Sequence, residues 1–415
     1  MSKIWIDITE LLINKDKLTD IAKVVYELAI RLDNCDKDIN FFIYDEEKKY
    51  CYQTTLANFK NDSASKDISK TKEAKTKKIF QIKNLKLFNK IYKKHNSNEY
   101  KVIFNFQSQN CNLTSPFNNG DVIVVMGSTK NSIMKMRDLI NLKHILNLKY
   151  VQIIYDVIPT FYPQLFEYGL ASQFDNSLFE VMAGADLLFC FSKEIQNELL
   201  KFCKITRIDP PRMKLIRGGD DYLYHNQPIK PKVILSEDEP FIICINSLGV
   251  RGNQYILYYV VKEAINRGID VPKIIIAGLS ESLSQDLIYI LNNDKILGDR
   301  LQYLGDITNE EKIWLYQNCS FTINPSIVEG WGYSIAQSLH YGKPCLSSNI
   351  LSMREIGGNL VDYFSPYDSG KCLEKIVEFG NSNELGKRAK LIRESYKSVT
   401  WDQTIFKIIT ALKNL

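Results

Sequence analysis

The sequence predicts an α/β protein in which helices cover both faces of parallel β-sheets. Short apolar runs typical of buried strands alternate with longer amphipathic runs typical of helices, and this alternation restarts after residues 226–239. The end of that segment is polar, acidic and flanked by Pro231 and Pro240, so we place the interdomain linker there. With 415 residues the chain is long enough for two domains, 1–225 and 240–397.

Before the linker, apolar runs predict six strands and at least two helices. The strands are expected at Lys3–Ile8, Ile39–Tyr44, Val102–Phe106, Asp121–Met126, Leu148–Ile154 and Leu187–Phe191. The clearest helix is Ile21–Leu32, whose apolar residues fall on one face, and a second helix starts at Phe174. Ser192 follows the last of these strands and is expected to cap a helix.

After the linker, strands and helices alternate regularly. Strands are expected at Phe241–Asn246, Lys273–Leu279 and Leu301–Gly305, and helices at Asn253–Arg267, Glu281–Leu291, Asn309–Asn318 and Trp401–Leu415. A further strand ends before Pro325, a loop with two glycines follows, and a helix spans Tyr333–Tyr341. Ligands of such sheets bind at the carboxyl ends of the strands, so the loops after these strands are the candidate site.

The composition limits the possible classes of protein. Hydrophobic residues make up 45% of the chain and charged residues 24%, as in soluble globular proteins. There is no run of about eighteen apolar residues and no signal-like stretch after Met1, so the cytoplasm is expected. Cys190, Cys244 and Cys345 lie in apolar runs and are expected to be buried free thiols. The four histidines form no local cluster with cysteine or aspartate, so no structural metal site is expected.

Residues 58–100 stand apart in composition. Lys60–Lys101 holds thirteen lysines and four acidic residues, although the whole chain has a net charge of only +5. Within it, residues 77–94 place apolar side chains such as Phe80 and Leu87 on one side of a helix between lysines. Two interpretations remain open: this helix lies on an anionic membrane surface, or it packs on its domain with solvated lysines. No recognisable nucleic-acid module surrounds it, so nucleic acid is not an expected partner.

The segment from Asn324 to Pro366 contains the most informative loop. Gly330 and Gly332 would let the main chain approach a ligand closely, and the following helix offers amides at the positive end of its dipole. These features suit a phosphate, whereas the Glu329 carboxylate suits the hydroxyl groups of a sugar. A lone Gly-x-Gly would be an ordinary βα turn, so the function depends on the rest of the segment.

Five short motifs occur in a fixed order along this segment. They are Pro325-Ser326, Glu329-Gly330-Trp331-Gly332, Gly342-Lys343-Pro344, Ser348-Asn349 and Glu355-Ile356-Gly357-Gly358. Together they resemble the donor-binding signature of the retaining, nucleotide-sugar-dependent glycosyltransferases of family 4, which have the GT-B fold. The resemblance is closest to bacterial enzymes, including mannosyltransferases, that build O-antigen or capsule chains.

The resemblance implies two Rossmann-like, doubly wound domains that face a central cleft. Residues 1–225 would form the acceptor domain, 240–397 the nucleotide-sugar donor domain, and 398–415 a helix that crosses back to the first domain. The enzyme would move a hexose from GDP-mannose or a UDP-sugar to a hydroxyl group of a glycan or lipid-linked acceptor. It would act in the cytoplasm, either free or on the inner face of the plasma membrane through residues 77–94.

The resemblance also implies the site residues. Arg251 would hold the donor diphosphate, because a guanidinium stays charged and donates two parallel hydrogen bonds. With the helix amides it would neutralise the leaving group, so neither a metal ion nor another cofactor is expected. The expected catalytic residues are Glu329, Arg251, Tyr155 and Asp156. The expected donor-binding residues are Gly249, Arg251, Asn253, Gly330, Trp331, Gly332, Tyr333, Ser334 and Gln337.

Four positions depart from the family pattern where the family does its chemistry. They are Asp20 for glycine, Tyr155 for histidine, Gly252 for lysine and Gln337 for glutamate. The alternative hypothesis is therefore a degenerate paralogue that serves as partner or scaffold of an active transferase. Against it, Glu329, Trp331, Arg251 and Asn253 persist, and a decayed site usually loses such groups first.

Overall fold

The computed structural model describes residues 2–13, 19–35, 38–56, 115–129, 133–221, 227–232, 236, 239–380 and 382–415. Two α/β domains, with sheets of seven and six strands, confirm the predicted fold class. The insertion at 58–100, its segment 77–94 and the predicted strand Val102–Phe106 lie outside the described residues. No helix in the described part of the chain is both long enough and apolar enough to cross a membrane.

The first sheet has the strand order β3-β2-β1-β4-β5-β6-β7. The strands are β1 (Ile4–Asp7), β2 (Ile39–Asp45), β3 (Tyr50–Thr54), β4 (Val122–Val125), β5 (Lys149–Ile154), β6 (Leu187–Cys190) and β7 (Arg212–Leu215). All neighbouring strands are parallel except β3, which pairs antiparallel with β2 and was not predicted. The helices are α1 (Glu10–Ile13), α2 (Asp20–Cys35), α3 (Ile133–Leu146), α4 (Ile158–Phe161), α5 (Leu170–Gly184) and α6 (Lys193–Thr206), with a 3-10 turn at Pro163–Leu165.

The second sheet is entirely parallel, in the order β10-β9-β8-β11-β12-β13. The strands are β8 (Phe241–Ile245), β9 (Lys273–Ala277), β10 (Leu301–Tyr303), β11 (Phe321–Asn324), β12 (Cys345–Ser348) and β13 (Asp362–Phe364). The helices are α7 (Tyr255–Arg267), α8 (Gln285–Asn293), α9 (Asn309–Asn318), α10 (Tyr333–His340), α11 (Leu351–Gly357), α12 (Ser369–Phe379), α13 (Ser382–Ser395) and α14 (Trp401–Leu412). Further 3-10 turns span Ser282–Ser284 and Gly358–Leu360.

The central strands read as continuous apolar runs because helices cover both faces of the sheet. Every residue of β6 and β9 is buried. Cys190, Cys244 and Cys345 lie in such strands as buried free thiols, as predicted. Burial raises the pKa of Cys345 to about 11, so the thiol stays protonated at neutral pH.

Two helices start four residues away from their predicted positions. The helix predicted from Phe174 begins earlier, directly after Gly169, whose φ of 85° suits glycine. Its first turn carries no apolar pattern, so periodicity alone missed it. The helix predicted from Glu281 begins only at Gln285, because Ser282–Ser284 form a 3-10 turn with a kink.

The last helix packs against the first domain. α14 follows a capping box at Thr400, and its apolar side chains, including Trp401 and Ile405, belong to the same buried core as β1 and β4. Two chain segments therefore connect the domains, and they lie side by side. The Asp220 amide donates to the Val399 carbonyl at 2.7 Å, and the Val399 amide donates to the Asp220 carboxylate at 2.9 Å.

Candidate active site

An ion pair lies at the carboxyl edge of the second sheet. Arg251 follows β8, Glu329 follows β11, and β8 and β11 are neighbours in the sheet. The Arg251 Nη1 atom is 2.5 Å from the Glu329 Oε2 atom. The structure thus brings together the two residues from which the sequence predicts donor binding, although seventy-eight positions separate them along the chain.

Two polar side chains hold the other oxygen of the Glu329 carboxylate. Asn246 Nδ2 lies 2.8 Å and Ser326 Oγ 2.9 Å from Glu329 Oε1. Asn246 comes directly after β8 and Ser326 shortly after β11, so each is fixed by the end of its strand. With Arg251 on Oε2, the carboxylate is held in one orientation.

The charge of Arg251 is shared among several carboxylates. Attraction to Glu329 raises the pKa of Arg251 above its ordinary value, and Glu281 and Asp156 add to the effect although burial opposes it. Glu281 Oε1 lies 3.8 Å from Arg251 Nη2, and Asp156 belongs to the first domain. Arg251 therefore stays protonated and faces negative charge on both sides of the cleft.

The loop that carries Arg251 is folded around the buried side chain of Gln254. Gln254 Nε2 donates to the Ser247 carbonyl at 2.9 Å, and its Oε1 accepts from the Gly249 amide at 3.3 Å. A methyl group at Gly252 would lie 2.6 Å from Gln254 Nε2 and 2.7 Å from the Ser247 carbonyl oxygen. Any side chain at position 252 is therefore excluded from this loop conformation, which accounts for glycine where the family has lysine.

Asn253 braces the same loop. Its φ of 57° is left-handed, a conformation that asparagine tolerates. Its Nδ2 atom donates to the carbonyls of Pro325 at 3.0 Å and Pro366 at 2.8 Å. The structure thus places this expected donor-binding residue in a contact between loops, and its amide hydrogens are used within the protein.

The glycine loop touches the first domain. A methyl group at Gly330 would lie 2.3 Å from the Tyr155 carbonyl oxygen, so only glycine allows this approach. Ser192 Oγ donates to the Gly330 carbonyl at 2.8 Å and also caps α6, as predicted, by accepting from the Ile195 amide. The Trp331 ring lies 5.9 Å from the ring of Phe191 in the first domain.

Tyr155 and Asp156 follow β5 and meet this loop from the other side of the cleft. The Tyr155 hydroxyl donates to the Met126 carbonyl at 2.7 Å, and its ring stacks on Phe191. Burial raises the pKa of Tyr155 well above its ordinary value, so the phenol stays protonated. Asp156 accepts from the Ile158 amide at 3.1 Å, which turns the chain into α4.

The helix after the glycine loop starts at the same edge. Gly332 precedes α10 with φ of 91°, and the positive end of the α10 dipole lies beside Tyr333 and Ser334. Ser334 Oγ accepts from the amide group of Asn324 at the end of β11. These expected donor-binding residues thus share one edge with Arg251 and Glu329.

Gln337 sits deeper than its expected role requires. It is fully buried, and its Nε2 donates to the Asp220 carbonyl at 3.0 Å in the segment that connects the domains. Its Oε1 has no hydrogen-bond partner among the residues that the structure describes. Binding of ribose hydroxyls by Gln337 stays a prediction. Since Nε2 is used within the protein, Oε1 is the atom left to accept a hydrogen bond from a hydroxyl group.

Four residues that shape the site were not among the expected site residues. They are Asn246, Gln254, Glu281 and Ser326, of which Ser326 belongs to one of the five motifs. A positional signal existed for Asn246 and Ser326, because each is a polar residue just past the carboxyl end of a buried parallel strand. Gln254 and Glu281 act through side-chain directions, which the sequence does not display.

The comparisons with known proteins agree with this architecture. Residues 226–398 match the family described as "Glycosyl transferases group 1". The chain is 23% identical over 195 residues to the serotype-specific mannosyltransferase WbdA of Escherichia coli, and this match covers 44% of the chain but only 23% of that protein.

Two solved structures show the fold. Sucrose-phosphate synthase from Thermosynechococcus elongatus has a TM-score of 0.52 and 17% identity, covering 71% of this chain and 73% of that one. Anabaena Alr3699/HepE in complex with UDP and glucose has a TM-score of 0.52 and 15% identity, covering 71% of this chain and 78% of that one. The expected GT-B fold is thereby confirmed. The similarity to group 1 glycosyltransferases is limited to residues 226–398, and the finer assignment to family 4 stays a prediction.

Proposed function

We propose that this chain is a retaining glycosyltransferase that moves a hexose from GDP-mannose or a UDP-sugar to a hydroxyl group of a glycan or lipid-linked acceptor in surface polysaccharide synthesis. The group 1 glycosyltransferase domain supports transfer from a nucleotide sugar. The choice of hexose, acceptor and pathway rests on the motif resemblance and on the similarity to a mannosyltransferase.

The single observation that carries the proposal is the oriented pair of Arg251 and Glu329. Asn246 and Ser326 fix one carboxylate oxygen and Arg251 contacts the other, at the sheet edge where α/β proteins bind ligands. A cation and a carboxylate side by side suit a substrate that joins an anionic diphosphate to a sugar rich in hydroxyl groups.

The leaving group is the first half of the proposed mechanism. As the bond between sugar and diphosphate breaks, negative charge grows on the departing phosphate oxygen. Arg251 and the amides at the start of α10 stabilise that charge, because both are positioned before the reaction begins. These groups supply the positive potential that a metal ion supplies in other transferases, so we propose a metal-independent reaction.

The sugar and the acceptor form the second half. Glu329 and the main chain of Gly330–Gly332 hold the sugar hydroxyls, while Tyr155 and Asp156 close the site from the first domain. The acceptor hydroxyl attacks from the face on which the diphosphate departs, and its proton passes to the leaving phosphate oxygen. The configuration of the sugar is retained.

A second candidate function is a non-catalytic partner of an active transferase. The observation that favours it is Gln337, a buried amide bound to Asp220 at the position where the resembled enzymes carry glutamate. A protein of this kind would keep the fold and the contact between domains without turnover.

Titration calorimetry with GDP, UDP, GDP-mannose and UDP-glucose tests the proposal. We expect one nucleotide and its sugar conjugate to bind, and Arg251→Ala to weaken binding by about 10- to 100-fold because a charge-assisted contact is lost. Arg267→Ala is the matched control, since this arginine is exposed at the end of α7 and pairs with Glu263 one turn earlier in the same helix.

The configuration of the product completes the test. NMR of the transferred or hydrolysed sugar should show the configuration of the donor, with and without a chelator. Failure of the folded protein to bind any of the four compounds would contradict the proposal and favour the partner function. An inverted product would contradict retention, and activity lost to the chelator would contradict metal independence.

A further inference from the structure

The Arg251 loop has no surplus positive charge. Arg251 faces Glu329 at 2.5 Å and Glu281 at 3.8 Å, and Asp156 approaches from the first domain. A diphosphate carries at least two negative charges, and one arginine shared with three carboxylates offsets little of that charge. A further cation would add to the hold of Arg251 and the α10 amides on the diphosphate, and the arginine loop cannot provide one at Gly252, because Gln254 fills the space that a side chain would occupy.

A lysine from another helix stands beside the start of α10. Lys312 lies in α9, which a capping box between Thr308 and Glu311 fixes at its N-terminus. The Lys312 ammonium lies 5.7 Å from the centroid of the Tyr333 ring. Tyr333 is the first residue of α10, so this ammonium lies beside a side chain at the helix end whose amides are assigned to the phosphate.

The carboxylate of Asp20, in the first domain, indicates the electrostatic potential that Lys312 and Arg251 produce. Asp20, at the start of α2, has 77% of its side chain exposed. The surrounding protein disfavours its ionisation, but the charges of Lys312, Lys23 and Arg251 prevail and lower the pKa of Asp20. Lys312 and Arg251 thus act on one anionic group in the cleft, as they would on a phosphate.

We propose that Lys312 supplies the second cation for the donor diphosphate and replaces the lysine that position 252 cannot carry. This inference rests on the proposed function. Lys312 binds the phosphate groups as a point charge, whereas Arg251 orients them, and Asp20 competes with them for both cations. The charge that the resembled family takes from the arginine loop comes here from α9.

Calorimetry with a series of ligands separates charge from other contacts. GDP or UDP, the corresponding monophosphate and the free nucleoside are titrated into the whole protein and into Lys312→Met. We expect the Kd of the diphosphate to rise by about tenfold or more, that of the monophosphate to rise less, and that of the nucleoside to stay the same. Lys312→Arg should keep most of the diphosphate affinity, and Lys371→Met, at an exposed lysine of α12 paired with Glu374, should change nothing.

Asp20→Asn gives a second, opposite readout. Removal of its charge should tighten diphosphate binding by about two- to fivefold at low salt and leave the nucleoside unaffected. The change is at an exposed position, so the fold is preserved.

The outcomes separate the two proposals. If the unaltered protein binds no nucleotide, the proposed function fails and this inference fails with it. If it binds the diphosphate and Lys312→Met binds equally well, only this inference is overturned. Equal weakening of diphosphate and nucleoside by Lys312→Met would also overturn it, because the lysine would then act through the packing of Tyr333 and not through its charge.

Discussion

Glu194 and Glu355 each cap the helix that carries the other, across the boundary between the domains. Glu194 lies in the first turn of α6 and accepts from the Ser352 amide of α11 at 2.6 Å. Glu355 lies in α11 and accepts from the Lys193 amide at the start of α6 at 2.8 and 3.1 Å. Each carboxylate satisfies an amide at the positive end of the opposite helix, so the exchange holds the domains together.

The carboxyl group of Glu198, which lies in α6 one turn after Glu194, predicts that the stability of the protein falls as the pH rises. Burial, then repulsion from Glu194 and Asp156, raises the pKa of Glu198 from 4.5 to about 7, although Lys201 opposes the shift. The folded protein therefore holds this proton more tightly than the unfolded chain. The stabilisation is complete below pH 4.5 and is lost as the pH rises through about 7.

Glu198→Gln should remove most of this pH dependence. The variant should exceed the unaltered protein at pH 8 by up to about 3 kcal/mol in free energy of unfolding and match it near pH 4.5. Denaturant unfolding at several pH values measures the difference. Parallel pH profiles for the two proteins would assign the dependence to another group.

Gly252→Ala should destabilise the arginine loop. The added methyl group would overlap the amide of Gln254, so the loop must move at a cost of about 1–3 kcal/mol. Thermal unfolding measures the loss. Gly386→Ala is the matched control, because a methyl group there meets open space within α13 and should be neutral or slightly stabilising. Equal melting temperatures for the two variants would contradict the close packing around Gly252.

Gln337→Glu, which restores the residue usual in the family, should destabilise this protein. A carboxylate cannot donate to the Asp220 carbonyl, and its charge would be buried without a partner in this contact, at a cost of about 2–4 kcal/mol near pH 8. The cost should shrink near pH 5, where the acid can protonate and donate. Gln337→Met, which loses only the hydrogen bond, should cost about 1 kcal/mol at either pH. A stable Gln337→Glu protein at pH 8 would show that the side chain can turn towards the cleft.

Asn246 should act on catalysis through the orientation of Glu329. Asn246→Ala removes one of the contacts to Glu329 Oε1, so we expect kcat for sugar transfer or donor hydrolysis to fall by about 10- to 100-fold with little change in KM. Asn246→Asp should be worse, because it places a second carboxylate against the first. A rise in KM with an unchanged kcat would mean that Asn246 serves donor binding and not the orientation of Glu329.

The sequence predicts the central strands and the edge strand β10, but it misses the edge strands β3, β7 and β13. β6 and β9 are buried on both faces, so apolar runs reveal them. β7 is the sequence Arg212–Leu215, an exposed edge strand with alternating basic residues, and it forms because β6 offers unpaired main-chain groups. β3 likewise depends on its antiparallel partner β2. These strands form because they pair with a neighbouring strand, and the local periodicity of the sequence does not reveal that pairing.

The sequence likewise predicts one part of the candidate site and not the other. The motif around Glu329 and the position of Arg251 after a strand indicate the ion pair from the sequence alone. The inward turn of Gln254 and the approach of Lys312 and Asp20 depend on side-chain directions and on contacts between segments far apart in the chain. No local pattern contains that information.

The pairing of Asp220 and Val399 places the two segments that connect the domains next to each other, so they form one hinge region. Because the two segments that cross between the domains lie next to each other here, we expect the domains to move relative to each other mainly about this pair of segments. Such a motion would separate the Glu329 loop from Tyr155. A chain cut before Thr400 would lose the second connection between the domains and, with α14, part of the core of the first domain.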